Sequence, residues 1–168
     1  ILFSIKKSNF IACPGCYPTS ILLPLLPLVK NKLINTNNIK ADSKSGYSGA
    51  GKKTTDKKLY PNINENISIY GVGQHRHMPE IDQELSKSSK KKIKISFTPH
   101  LIPTFRGILS TIYLDLPKGI KIKKVKDCLL NFYKKEKFVN VVNSKEMINT
   151  NRVLNTNNCN IAVYQTRF

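Results

Sequence analysis

Apolar positions along the chain fall into short clusters separated by lysine-rich and polar stretches, and the spacing inside each cluster predicts an element. Residues 1–12 alternate weakly and predict a strand that enters a Pro-Gly turn. Residues 18–29 predict a helix, with Pro18 suited to its first turn and Pro24 and Pro27 making it irregular. Residues 40–53, rich in Ser and Gly, predict a loop. A strand follows over 66–72, then a short helix over 79–87 whose first turn carries Glu80 and Asp82. The β-branched runs 93–99 and 108–116 predict sheet strands. Val125, Cys128, Leu129 and Phe132 recur at helical spacing within 124–134, and 138–142 and 161–164 supply further strands. Several strands lie close enough in sequence for antiparallel pairing, which favours an α+β domain over a doubly wound one.

At 168 residues the chain is long enough for one domain with its own core. The longest apolar run, 21–29, is broken by two prolines and falls well short of the ~20 residues a membrane helix needs. No cleavable signal peptide is visible. Four cysteines, Cys13, Cys16, Cys128 and Cys159, do not make a disulfide framework in a chain of this length, so a reducing, cytoplasmic setting is expected. The chain starts at Ile1 rather than at a methionine, which suggests a piece of something longer or a start lost in processing.

The net charge of +18 would draw nucleic acid or an acidic surface through counterion release. Only four of the 28 basic residues are Arg, however: Arg76, Arg106, Arg152 and Arg167. Arginine is the side chain that forks onto phosphates and stacks on bases. The lysines are spread over three runs without interleaved aromatics, and Asn and Ile are abundant beside them. That pattern fits compositional drift better than a binding surface, and no nucleic-acid-binding module is recognisable. A basic nucleic-acid-binding protein is therefore the alternative reading, not the leading one.

Three short stretches carry chemistry. In ACPGCYPTS, Cys13 and Cys16 flank Pro-Gly. A cysteine at a helix N-terminus feels the dipole's positive end and unpaired N–H groups, which favour thiolate and stabilise an oxyanion on an attacked carbonyl. A redox dithiol would need Cys13 as well, and a zinc site would need two more ligands, while Cys128 and Cys159 are isolated. A buried, inert cysteine is the plain alternative. In QHRHMPEI, His75 and His77 flank Arg76 just before a helix start bearing Glu80. A histidine is the natural acid/base partner of a thiol, although H-x-H also suits a metal given a third ligand, and surface histidines with no role are common. In FTPHLIPTFRG, Arg106 is placed to grip a carboxylate or phosphate in bidentate fashion. No strand leads into G-x-G-x-x-G, so the dinucleotide-binding fingerprint is lacking; Gly46, Gly49 and Gly51 have the wrong spacing.

The segments PGCYPT, SGYSGAG, ENISIYGVGQHRHMPEI and FTPHLIPTFRGILSTIY, in that order over residues 14–113, together resemble the N-acetyl-γ-glutamyl-phosphate reductase family. The resemblance implies a mixed, largely antiparallel sheet with helices on one face, as in the catalytic domains of glyceraldehyde-3-phosphate and semialdehyde dehydrogenases. It implies NADPH-dependent reduction of an acyl phosphate to a semialdehyde, a step of arginine biosynthesis, through a thioester on Cys16. His77 would be the acid/base partner, and His75, Arg106 and Glu80 would bind or orient the substrate. Ser45, Gly46, Ser48 and Gly49 would lie against NADP, their small size permitting close backbone approach. The family self-associates, so a homo-oligomer is implied, with no membrane and no metal. On this reading Cys16 is the nucleophile and Cys13 stands where the family usually has Asn. Residues 1–168 would be the catalytic, substrate-binding and dimerisation domain; the family's N-terminal dinucleotide-binding domain and its C-terminal segment that returns to the cofactor have no counterpart in these residues.

Overall fold

The computed structural model describes residues 2–55 and 63–166. Along the chain run α1 (Leu2–Lys7), α2 (Cys16–Lys30), β1 (Lys40–Ser45), a 3₁₀ segment (Tyr47–Thr55) kinked at Gly51, β2 (Ser68–Ile69), α3 (Met78–Ser89), β3 (Ser96–Leu101), β4 (Ile108–Tyr113), α4 (Ile122–Tyr133), β5 (Val139–Val141), a second 3₁₀ turn (Thr150–Val153) and β6 (Cys159–Ile161). The main sheet has the order β2-β3-β1-β4. Its outer pairs are antiparallel and its central pair, β1 with β3, is parallel; β5 and β6 form a separate parallel pair. The sheet is therefore mixed, as expected, and its one parallel joint lies at the centre.

Three expectations are corrected. The N-terminal segment, read as a strand, is helical over Leu2–Lys7; residues 5–14 are all exposed, so the weak alternation there has no buried face to serve. The stretch read as a loop contains β1, the central strand. Its sequence, KADSKS, has no β-branched residue, yet it is buried at every second position, at Ala41, Ser43 and Ser45. The predicted strand over 66–72 shrinks to Ser68–Ile69, while Ile67, Ile69 and Val72 stay exposed. The loop over 46–53 is otherwise the 3₁₀ segment. Residue 1 lies outside the described residues.

One face of the sheet carries the core. Phe97 on β3 meets Tyr17 of α2 edge-on, with ring centroids 5.1 Å apart. Ile21, Leu25 and Leu28 of α2, Ile81 and Leu85 of α3, and Val125 and Leu129 of α4 are buried in the same cluster. Where α2 crosses β1 and β4 the contact is polar: Ser110 Oγ lies 2.7 Å from Ser43 Oγ and 2.8 Å from Ser20 Oγ. Small hydroxyl side chains let the helix sit close to the sheet while each buried oxygen keeps a partner. The opposite face bears Asp42, Lys44 and His100; Lys44 pairs with Asp42, and His100 Nδ1 stands 3.2 Å from Asp42 Oδ1 but out of hydrogen-bond alignment.

α2 runs unbroken through both internal prolines. A proline has no N–H, so Pro27 leaves the carbonyl of Leu23 without its helical donor. The hydroxyl of Tyr133 on α4 supplies that bond, 2.6 Å from the Leu23 oxygen. α3 is sewn to the chain leading into β3: Asp82 Oδ1 accepts from Ile95 N–H at 3.1 Å, and Ser86 Oγ accepts from Ile93 N–H at 2.9 Å. These bonds hold the middle and the last turns of α3 against the chain that enters β3.

Candidate functional site

The site is built where the N-terminus of α2 meets the turn before α3. Gly15 is the N-cap of α2, in extended conformation (φ −64°, ψ 158°), and Cys16 is the helix's first residue. Cys16 is exposed, and its position faces it with the unpaired N–H groups of the first turn. The cap has no side-chain acceptor; instead the Gly15 N–H donates to the Glu80 carboxylate, 3.0 Å to Oε1 and 3.3 Å to Oε2. A carboxylate in the first turn of α3 thus holds the turn that carries the thiol.

The His77 imidazole lies directly over Gly15. A β-carbon added to that glycine would stand 2.6 Å from His77 Nε2, closer than real contacts allow. Only glycine at position 15 lets the ring reach the residue next to the thiol. The backbone N–H of His77 donates to His75 Nδ1 at 3.2 Å, and the two imidazoles stand 4.9 Å apart. His77 Nδ1 is buried and has no hydrogen-bond partner. Tyr17, one residue beyond Cys16, meets both rings edge-on, at 5.4 Å for His75 and 6.1 Å for His77.

Burial lowers the pKa of both imidazoles. For His75 the neighbouring His77 and Arg76 add to the effect; for His77 Arg76 adds to it and the Glu80 charge opposes it. Both rings are therefore neutral at pH 7 and able to accept a proton. The linkage has a definite sign. A histidine whose folded pKa is depressed stabilises fully above its unfolded value, about 6.5, and loses that stabilisation as pH falls through the folded values. The urea midpoint should therefore drop between pH 7.5 and pH 5, and His75→Gln should flatten the drop; an identical pH dependence in the variant would refute the assignment.

A second loop pair completes the site. The chain after β1 is zipped to the chain before β4: Gly46 N–H donates to Gly107 O (2.9 Å), Tyr47 N–H to Thr104 O (3.0 Å) and Ser48 N–H to Phe105 O (2.9 Å). Gly46 is packed so tightly that a β-carbon would lie 2.6 Å from the Phe105 carbonyl oxygen and 2.7 Å from that of Thr104. Gly46→Ala must therefore push the paired backbones apart, and we expect a loss of about 1–3 kcal/mol in urea unfolding, the usual range for overpacking. Arg106 leans over the Phe105 ring at 5.1 Å, is exposed, and has no carboxylate within ion-pair distance among the described residues.

One wide groove joins these elements. Cys16, His75, His77, Arg106, Ser45, Gly46, Ser48 and Gly49 all line it. Glu80 does not: its carboxylate is turned to the Gly15 N–H. Cys13 is exposed but also outside the groove. Among the described residues no group of three His, Cys, Asp or Glu side chains is placed to hold a metal ion. Sequence reasoning passed over Tyr17, Tyr70 and the Ser20–Ser110–Ser43 hydroxyl chain. Tyr17 was within reach, as the residue following Cys16; the hydroxyl chain joins residues 90 and 67 positions apart and left no local signal.

The family described as semialdehyde dehydrogenase, dimerisation domain, matches residues 16–167. The chain belongs to that family. Its similarity to curated proteins agrees. It is 46% identical over 164 residues to an N-acetyl-gamma-glutamyl-phosphate reductase of Ehrlichia ruminantium (strain Gardel), covering 97% of this chain and 47% of the relative. It is 45% identical over 163 residues to a probable chloroplastic N-acetyl-gamma-glutamyl-phosphate reductase of Arabidopsis thaliana, covering 97% of this chain and 41% of that protein. The chain thus spans about half the length of the curated relatives it matches. Among solved structures, an aspartate semialdehyde dehydrogenase from Francisella tularensis superposes with a TM-score of 0.69 at 15% identity, over 95% of this chain and 56% of that one. One from Candida albicans with NADP gives 0.58 at 16% identity, over 90% and 48%. These likenesses establish the semialdehyde dehydrogenase fold for the domain. No helix among the described residues is long and apolar enough to cross a membrane.

Proposed function

We propose that this domain carries the thiol and acid/base chemistry of an N-acetyl-γ-glutamyl-phosphate reductase in cytoplasmic arginine biosynthesis. The observation that carries the reading is the placement of the His77 imidazole on Gly15, beside a groove-lining Cys16 at the head of α2. The named relatives support the choice of substrate. Nothing among them favours the nucleic-acid alternative. Residues 1–168 are assigned the catalytic, substrate-binding and dimerisation roles, and dinucleotide binding is assigned to the remainder of the relatives' length. The family's description fits a homo-oligomer.

In the proposed reaction neutral His77 takes the Cys16 proton, and the thiolate attacks the acyl-phosphate carbonyl. The first-turn N–H groups of α2 receive the developing oxyanion. The bond to phosphate breaks, phosphate leaves, and a Cys16 thioester remains. Arg106, exposed at the groove's rim, pairs with the substrate's carboxylate or phosphate, with His75 beside it. Glu80 orients the nucleophile's turn through Gly15. The loop 45–49 suits a cofactor face: Gly49 is exposed, with nothing within 4 Å of where a β-carbon would sit, so a planar ring can approach its backbone. Ser45, Gly46, Ser48 and Gly49 would lie against NADPH there, and the cofactor, when bound, would supply the hydride for reduction of the thioester. His77 returns its proton as the thiol is released with the semialdehyde.

The test is intact-protein mass spectrometry after brief exposure to N-acetyl-γ-glutamyl phosphate. A single N-acetylglutamyl adduct is expected. No adduct on protein shown to be folded would sink the reading.

A further inference from the structure

The stretch that leads into the two histidines is poorly anchored by its own backbone. Between Tyr70 and His75 it has glycines at φ 59° (Gly71) and 72° (Gly73), residues 71–74 are exposed, and the N–H of Gln74 bonds only locally, to Gly71 O. Such a segment should sample many arrangements. Its far end runs into α3, where Met78 N–H donates to His75 O at 2.9 Å and Ile81 N–H to His77 O at 3.1 Å; the stretch before His75 is tied down at its start. Tyr70 N–H donates to Pro99 O at 3.2 Å, and the Tyr70 hydroxyl lies 2.8 Å from the hydroxyl of Tyr17. Tyr17 is 2% exposed and follows Cys16 directly, so this hydroxyl pair links the first turn of the thiol-bearing helix to the root of the histidine loop. The two phenol rings and Phe97 enclose His75 edge-on, at 5.4 Å for Tyr17, 5.6 Å for Tyr70 and 5.4 Å for Phe97. His75 in turn accepts the His77 N–H. The chain of contacts therefore runs from Cys16 through Tyr17 and Tyr70 to His75, and from His75 to His77.

We propose that the Tyr17–Tyr70 hydroxyl pair is a positioning strut that sets the His75 and His77 imidazoles against the Cys16 turn. Neither tyrosine touches the reacting atoms. The inference rests on the acyl-transfer reading for its catalytic consequence, but its structural content stands apart. With the strut intact His75 Nδ1 accepts a hydrogen bond, so neutral His75 carries its proton on Nε2. With the strut cut the loop loosens, and His75 exchanges between tautomers.

Tyr70→Phe and Tyr17→Phe each remove one hydroxyl and keep the ring. Tyr70 is 38% exposed, and the Tyr17 hydroxyl keeps the His100 carbonyl at 3.5 Å when Tyr70 loses its own, so Tyr70→Phe leaves the core filled. At saturating N-acetyl-γ-glutamyl phosphate the acylation rate of Cys16 should fall about tenfold in either variant, with the half-saturating concentration unchanged, the pattern of a lost transition-state interaction. The double variant should be no slower than Tyr17→Phe alone, because that change already removes the shared bond. Iodoacetamide alkylation of Cys16 at alkaline pH should stay at the wild-type rate. The second readout needs no substrate: two-bond ¹H–¹⁵N spectra of the imidazoles at neutral pH. Wild type should show His75 as a single Nε2–H tautomer, and Tyr70→Phe should move it toward an averaged pattern. Imidazole spectra identical to wild type in a folded variant would overturn the strut, and so would additive losses in the double variant. Should wild type fail to acylate, the acyl-transfer reading falls, and the imidazole spectra decide the strut by themselves.

Discussion

Cys16→Ser is expected to abolish the acyl adduct formed from N-acetyl-γ-glutamyl phosphate, while Cys13→Ser leaves it at the wild-type rate. The two cysteines are three residues apart and both exposed, so exposure alone does not distinguish them. Position does. Cys16 is the first residue of α2, against the free N–H groups of its first turn, next to the glycine that the His77 ring covers, and on the groove; Cys13 precedes the cap and lies outside the groove. An alcohol in place of the thiol has a far higher pKa and is a much weaker nucleophile without a tuned base, so loss of a nucleophile should cost on the order of 10³-fold or more. Intact-mass time courses of the three proteins check this. An adduct of equal size and rate in Cys16→Ser would place the chemistry elsewhere.

Gly15→Ala should slow acylation by about 10²-fold, the scale of losing a general acid/base, although Gly15 has no side chain and makes no contact with substrate. The backbone at Gly15 is extended and open to any residue, so the added methyl costs nothing in conformation. Its cost is steric and local: the methyl would lie 2.6, 2.8 and 2.9 Å from three atoms of the His77 ring. The imidazole must swing away from the thiol's turn. The Gly15 N–H remains and can still reach Glu80, so the turn keeps its anchor. We expect the half-saturating substrate concentration to change little, and Gly15→Ala combined with His77→Ala to be no worse than His77→Ala alone. Full multiplication of the two losses would show that the glycine serves something other than the histidine.

Three of the helices, α2, α3 and α4, were legible in advance because their signals are local; α1, with no buried face, was not. The apolar spacing of Ile21, Leu25 and Leu28, of Ile81 and Leu85, and of Val125 and Leu129 is the periodicity of a buried helical face, and each helix lies within a few residues of its expected span. The candidate residues that line the groove were legible for a related reason: Cys16, His75, His77 and Arg106 each sit in a short stretch dense in Gly, Pro and polar groups, where a core has no use for them. The strands were read less well. β1 lacks the apolar, β-branched signature of a central strand, because its buried positions are filled by Ala41, Ser43 and Ser45. Ser43 makes sense only once Ser110 is seen to bridge it to Ser20 of α2.

By itself the sequence determined the chemistry available to this protein: a thiol at a helix start, two imidazoles, one arginine and a glycine-rich loop, in a chain whose periodicity specifies an α+β domain. Tertiary structure decided what those groups do. It turned Glu80 from the groove to the Gly15 N–H, set the His77 ring in the space a side chain at position 15 would fill, and joined β1 in parallel to β3 as the sheet's centre. The physical reason is range. Helical periodicity and motif composition are written over a few neighbouring residues, whereas the Gly15–Glu80 bond spans 65 positions and the Ser20–Ser110 bond spans 90, and no local pattern encodes a contact whose two halves meet only when the chain has folded.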